Sequence, residues 1–193
     1  MNNQQVWFTS DLHFFHKNIL KFLKRPAETL DEMNWKIIHE WNNNVKPHDH
    51  VYSLGDLTFG NFEKTKNIIQ QLNGMIHLIH GNHCNDKLMA RLDKELPNVI
   101  DHRTSYHEIN VENQKIIMCH YPIISFNHMH RGAIHIHGHC HNSLRFKGKM
   151  FPGKMLDVGI DSTWENFEKF RPINFDELMK FMDKREIKGY DHH

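Results

Sequence analysis

Five short polar clusters along the chain hold the side chains best suited to chemistry: Asp11-Leu12-His13, Gly55-Asp56, Gly81-Asn82-His83, His120 and Gly138-His139-Cys140-His141. Together they offer carboxylate oxygens, imidazole nitrogens and one amide oxygen. That mixed oxygen and nitrogen set suits a pair of divalent transition-metal ions, whereas a structural zinc clip would draw on thiolates. Two ions about 3.5–4 Å apart can polarise a phosphoryl group, generate hydroxide and stabilise a leaving oxygen. Holding two cations so close needs an anion between them. Asp56 is the candidate bridge, because a carboxylate has one oxygen for each ion and offsets part of their repulsion.

The elements that must carry these clusters follow from pattern. Each cluster comes after a short apolar run of strand character: Val6–Thr9, Val51–Leu54, Met75–Ile79, Lys115–Cys119 and Ala133–His137. Runs this short, rich in Ile and Val and closed by Gly or polar residues, read as buried strands, so the clusters belong on loops at strand ends. Helices alternate with the early strands. Thr29 with Glu32 is a capping-box pattern ahead of Leu30, Met33, Ile37, Ile38 and Trp41; Asn61 opens a second run through Phe62, Ile68, Ile69 and Leu72. Asn174 with Glu177 repeats the cap before Phe175, Leu178, Met179 and Met182. The alternation predicts an α/β fold. Hairpins are expected around Ile109–Val111 and Phe146–Met150. No repeat or linker divides the chain, so residues 1–193 read as a single domain.

The ordered series Asp-x-His, Gly-Asp, Gly-Asn-His, His and Gly-His-x-His resembles the calcineurin-like metallophosphoesterases. The stretch Asp11-Leu12-His13-Phe14-Phe15-His16-Lys17-Asn18-Ile19 is similar to the opening of that family's small, capless bacterial and phage members. Taken singly these motifs are ordinary, and Asp56 alone would pass for a turn residue; in order, after five apolar runs, they are not. The resemblance implies an αββα sandwich of two mixed sheets flanked by helices. It also implies a dinuclear centre, with Asp11, His13 and His141 completing one ion's ligands and Asn82, His120 and His139 the other's. Mn²⁺ is the favoured metal, with Fe, Co²⁺, Ni²⁺ or Zn²⁺ as alternatives. His83 would face the leaving-group oxygen as proton donor or positive charge, a role that suits a group titrating near neutrality. Relatives usually have an acidic residue after that His; here Cys84 stands instead, a poorer partner for an imidazole. His16 is a candidate contact for phosphate or leaving group. Arg25 would either meet a phosphate or pair with an acid.

Composition narrows the remaining choices. The chain has 193 residues, 39% hydrophobic and 24% charged, with a net charge of +1, so no global attraction to nucleic acid or membrane follows. No run of about 18 apolar residues is present, so no membrane span is expected, and without a leader-like start a cytoplasmic location follows. Cysteines 84, 119 and 140 cannot all pair. Nineteen histidines are the outlier. His135 and His137 read as core or supporting groups beside the ligands. Arg131, in Asn127–Arg131, is expected on a loop near the metals. Arg145, Lys147, Lys149 and Lys154 form a basic run that would either grip an anionic substrate or simply be solvated. With no insertion long enough for a cap, an open site favours a phosphodiester such as a nucleotide or nucleic-acid end. A broad-specificity phosphomonoesterase or protein phosphatase is the alternative, and a metal-bound interaction protein a more distant one.

Overall fold

The computed structural model describes residues 4–144, 153–183 and 185. The expected hairpin at Phe146–Met150 and the basic residues Arg145, Lys147 and Lys149 lie outside them. In chain order the elements are β1 (Val6–Thr9), α1 (Ile19–Phe22), α2 (Leu30–Asn44), β2 (His50–Ser53), α3 (Phe62–Ile69), β3 (Met75–Leu78), α4 (Asp86–Glu95) and β4 (Val99–Asp101). Then follow β5 (Tyr106–Val111), β6 (Gln114–Cys119), a 3-10 turn (Met129–Arg131), β7 (Ile134–His137), β8 (Lys154–Asp157), α5 (Ile160–Phe167), β9 (Ile173–Asn174) and α6 (Phe175–Met182).

Two mixed sheets result. One runs β4-β3-β2-β1-β9 and the other β5-β6-β7-β8. In the first, β1 to β4 are parallel and β9 is antiparallel; in the second, β5 and β6 form the expected hairpin while β6, β7 and β8 are parallel. Side-chain alternation along each strand then sorts the core. Trp7, Val51, Ile76 and Leu78 face Met33, Ile37 and Trp41 of α2, Ile68 and Ile69 of α3, and Met89 and Leu92 of α4. Phe8 points the other way, into an inter-sheet core with Ile116, Met118, Ile134, Ile136 and Leu156 that Leu178 and Met182 of α6 also enter. The outer cover of the second sheet is thin: Phe126, Met129 and Ala133 close over Ile117 and Met155.

Caps explain where the helices start. Asn61 accepts from Lys64 N at 3.0 Å and Asn174 from Glu177 N at 2.9 Å, the latter in a full capping box. Thr29 makes half of one. Its hydroxyl accepts from Glu32 N at 3.2 Å, but a Glu32 carboxylate oxygen takes the Glu28 N–H instead.

The parallel strands β1, β2, β3, β6 and β7 all end at one edge of the sandwich, and each is followed by one of the five polar clusters. An open α/β sheet places its ligands at such carboxyl ends.

Candidate metal centre

The loops after β1 and β2 run side by side. Asp11 N donates to Gly55 O at 3.1 Å, His13 N to Asp56 O at 3.0 Å and Phe14 N to Leu57 O at 3.0 Å. The second sheet closes from the other side, where Gly138 N donates to His120 O at 3.0 Å. Five of the seven expected ligands adopt the left-handed backbone: Asp11 (φ 56°), His13 (52°), Asp56 (52°), His139 (66°) and His141 (44°). For non-glycine residues that conformation costs on the order of 1–2 kcal/mol each, and it persists only where surrounding structure imposes it. At Gly55 the imposition is visible. Its φ is +104°, and a Cβ there would lie 2.7 Å from Gly81 and from His120 Nδ1.

These loops bring the ligand atoms together. One group is formed by Asp11, His13 and His141 and another by Asp11, Asp56 and His120, with the atoms of each group within 4.8 Å of one another. Asp56 Oδ2 lies 3.8 Å from His13 Nε2 and 3.5 Å from His120 Nε2, so its carboxylate faces an imidazole of each group. Asn82 Oδ1 sits 2.8 Å from His120 Nε2 and 2.9 Å from His139 Nδ1.

Hydrogen-bond accounting tests whether cations fit here. His120 Nδ1 meets the Leu54 carbonyl at 2.8 Å, and a carbonyl can only accept, so Nδ1 carries the proton. In the singly protonated form that binds metal, the bare lone pair of Nε2 turns toward the oxygen of Asn82, two acceptors face to face. A cation between them resolves the clash. Among the described residues, buried Asp11 Oδ1 and both ring nitrogens of His13 have no hydrogen-bond partner. Buried polar atoms are rarely left so, and converging orphans with lone pairs mark a place for an ion. The residues present fit a pair of divalent cations.

Electrostatics agree. Burial pushes the Asp11 carboxyl up, but the imidazoles of His13, His141 and His120 outweigh it and hold Asp11 at about 2. Burial also pushes the His13 imidazole down, toward the neutral form that can bind metal.

Behind the ligands lies a buried frame that no local spacing announces. Arg25 is the main correction to the sequence reading. Its side chain is buried, and every N–H is engaged: Nε and Nη2 on the two oxygens of Asp161 at 2.8 Å, Nη2 also on Asp11 O, and Nη1 on Leu12 O and Met33 Sδ. Of the two roles open to it, pairing with an acid is the one observed; no donor is left for a phosphate. Asp161, on the first turn of α5, also accepts from His141 Nδ1 at 2.8 Å, which leaves His141 Nε2 for a metal. Asp157 fastens the neighbouring loop by accepting from Asn142 N at 3.0 Å and Gly159 N at 2.8 Å. The sequence reading missed both acids.

The other expected residues divide. His83 donates its backbone N–H to Asp56 Oδ1 at 2.9 Å while its exposed ring stands 6.1 Å from that of His13. His16 stacks on Phe59, with ring centres 4.2 Å apart, and on His13 at 5.3 Å. Cys84 turns away from the role an acid would have there: its Sγ takes the Gly81 N–H at 3.2 Å, and burial pushes its thiol pKa up. Arg131 is exposed on the 3-10 turn and donates from Nε to His130 at 3.1 Å, outside the ligand cluster. His135 is buried beneath the sheet, bonded to Ile117 O and Ile123 N.

The sequence pattern of the calcineurin-like phosphoesterase superfamily domain matches residues 5–154, a span that holds all seven expected ligands. The chain belongs to that family. Calcineurin-like phosphoesterases are metal-dependent hydrolases of phosphoric esters, and the candidate ligand groups fall within the matched residues. An uncharacterised protein of Methanocaldococcus jannaschii is 29% identical over 189 residues, covering 97% of this chain and 96% of its own. The gene 66 protein of Mycobacterium phage L5 is 27% identical over 185 residues, covering 81% of this chain and 86% of its own. The crystal structure of a protein of unknown function from Aquifex aeolicus superimposes with a TM-score of 0.70 at 24% identity, covering 92% of this chain and 99% of the other, and so shares the fold. Among the described residues no helix is long and apolar enough to cross a membrane.

Proposed function

We propose that this phosphoesterase is a phosphodiesterase for nucleotide-type substrates, working with two divalent ions, Mn²⁺ by preference. The observation that carries the reading is the shape of the ligand cluster. Asp11, His13, Asp56 and His120 form a buried floor, whereas Asn82, His83 and His139 are exposed at its rim. A phosphorus atom over that floor has room for an alcohol on each side, as a diester requires.

Asp11, His13, Asp56 and His141 would hold one ion, and Asp56, Asn82, His120 and His139 the other. Bound there, the ions would neutralise phosphate charge and make a nucleophile from water. The chain's own residues do the rest. Asp161 holds His141 in one tautomer, and the Leu54 carbonyl does the same for His120. His83 stands with its backbone fixed on Asp56 and its ring exposed, where it can give a proton to the ester oxygen as the phosphorus–oxygen bond breaks. Arg131 and His16 remain candidate substrate contacts: His16 presents its ring beside His13, and Arg131 would serve only an extended substrate. The three free cysteines suit a reducing compartment, and we place the enzyme in the cytoplasm on that basis.

The test is hydrolysis of bis-p-nitrophenyl phosphate beside p-nitrophenyl phosphate by Mn²⁺-loaded protein. Faster diester cleavage, lost in Asp56→Asn, is expected; monoester preference would make it a phosphatase. His83→Ala should keep its metal content while kcat falls about 10²- to 10⁴-fold. Loss of metal in that variant would show that His83 is a ligand instead.

A further inference from the structure

The metals account for the phosphate but not for the rings beside them. Five aromatic side chains of the described residues are exposed: Phe22 (71%), Trp35 (59%), Phe59 (43%), Tyr106 (39%) and Tyr121 (43%). Exposed aromatics scattered singly need no explanation. Here three of the five border the histidines of one site. Phe59 lies 4.2 Å from the His16 ring at 15°, 5.2 Å from His13 at 18° and 5.1 Å from His83. Phe22 is 6.5 Å from His16. Tyr121 stands edge-on to His139 at 4.7 Å and to His120 at 5.2 Å.

Both placements are built rather than accidental. Phe59 N donates to Phe14 O at 2.8 Å, and Phe14 pairs with Thr58, so the ring rides on the same paired loops that carry Asp11, His13 and Asp56. Tyr121 directly follows His120. One open ring therefore flanks the His13 half of the ligand cluster and another flanks the His120–His139 half. Phe59 is also the ring nearest His83, the residue assigned to the leaving oxygen.

We propose that Phe59 and Tyr121 are substrate-binding residues that select esters whose alcohols carry a flat aromatic ring, Phe59 stacking the ring of the leaving alcohol and Tyr121 that of the alcohol retained on phosphorus. This rests on the phosphodiesterase reading. Stacking of this kind tolerates any base, since every base has a π-face, so it gives selectivity for aromatic esters without sequence readout. The chemistry is shared by a nucleobase and a simple aryl group.

The experiment compares Mn²⁺-loaded wild type, Phe59→Leu and Tyr121→Leu on thymidylyl-thymidine, ethyl p-nitrophenyl phosphate and glycerophosphoethanolamine. Leucine keeps apolar bulk against His13 and His139 but offers no π-face, and metal content is measured in each variant. In wild type KM should be lower for the two ring-bearing esters. Each variant should lose about tenfold of that preference, through KM. Phe59→Leu should lose it on both ring-bearing esters, and Tyr121→Leu on the dinucleotide alone. A KM raised by Phe59→Leu for ethyl p-nitrophenyl phosphate, with neither substitution touching the dinucleotide, would assign the Phe59 site to simple aryl esters and overturn the Tyr121 site. Equal treatment of all three substrates by wild type, or a preference untouched by either substitution, overturns the proposal. If wild type cleaves no diester, the phosphodiesterase reading fails by itself. Calorimetric binding of thymidine 5′-monophosphate against glycerol phosphate then decides the ring sites: equal affinities overturn them, and tighter nucleotide binding weakened by Phe59→Leu or Tyr121→Leu supports them.

Discussion

Arg25→Ala should destabilise the protein by about 4 kcal/mol, because it breaks a buried ion pair that also fixes two backbone carbonyls. The guanidinium side chain is 0% exposed and lies 2.8 Å from Asp161, itself nearly as buried. Removing one partner of such a pair costs about 3–5 kcal/mol, since the other charge is left stranded. The Asp11 and Leu12 carbonyls lose their donor too, at about 1–3 kcal/mol each where water cannot reach them. These effects share one residue and do not add, and His141 remains bonded to Asp161, so the total stays near the value for the pair alone. Against a typical stability of about 5–15 kcal/mol the loss is large.

Urea unfolding of metal-free protein measures this without interference from bound ions. Arg25→Lys keeps the charge but not the bidentate fork, and should lose about half as much. Because Asp161 orients His141, metal affinity should also fall about tenfold in Arg25→Ala. The opposite pattern would refute the reasoning: stability within about 1 kcal/mol of wild type, metal content unchanged, and a KM for phosphate esters raised tenfold. That result would return Arg25 to the substrate.

Two further perturbations probe other parts of the frame. His77 is bonded on both sides, Nε2 to His50 Nδ1 at 2.9 Å and Nδ1 to His102 Nε2 at 3.0 Å, and burial together with His102, His50 and His107 lowers it to about 4. Below pH 6.5 the unfolded chain takes up a proton that the folded one refuses, so stability should fall by about 2 kcal/mol as pH drops from 6.5 to 4 after allowance for water near the cluster, and His77→Phe should remove that part of the decline in pH-dependent urea unfolding of metal-free protein. Gly138→Ala would place a Cβ against Ser10 Oγ and Asp11 Oδ2, so elemental analysis should find a folded protein depleted in metal; full occupancy would mean that the loop shifts without moving Asp11.

How much of this was legible beforehand depends on where each interaction lives in the chain. The candidate cluster was legible because metal chemistry uses few residue types and because strands end in glycine or polar residues, as at Leu54-Gly55-Asp56. Three capped helices were equally legible, since a cap is local: Asn174 and Glu177 are three residues apart and bond each other, whereas α4 behind its Asn85 cap was missed. Arg25 and Asp161 are 136 residues apart. Nothing near Arg25-Pro26 indicates whether it points at solvent or at a distant acid, and Asp161 on the first turn of α5 passes for an ordinary acidic helix start. Strands β4 and β8 escaped notice because three or four residues of mixed character give no period to read. Phe59 was not singled out, because only the paired loops set it beside His13 and His16.

The ligand backbones show why the frame had to be non-local. Five left-handed residues at about 1–2 kcal/mol each represent strain comparable with the whole stability of a domain. No sequence of ordinary turns would keep Asp11, His13 and Asp56 in that state, because each would relax to the right-handed region if it were free. What prevents relaxation is a set of contacts from four other parts of the chain. Gly55, Asp56 and Leu57 accept the N–H groups of the first loop, Arg25 grips its carbonyls from beneath, Asp161 anchors Arg25, and Asp11 Oδ2 in turn accepts the His139 N–H at 2.9 Å. The strained loop thus presents Asp11 Oδ1 and His13 Nε2 bare and close together, at 3.7 Å. In a relaxed loop those atoms would find hydrogen-bond partners of their own, and ions would then have to displace them. Local rules are broken at the candidate metal ligands, and the cost falls on the distant packing that holds them in place.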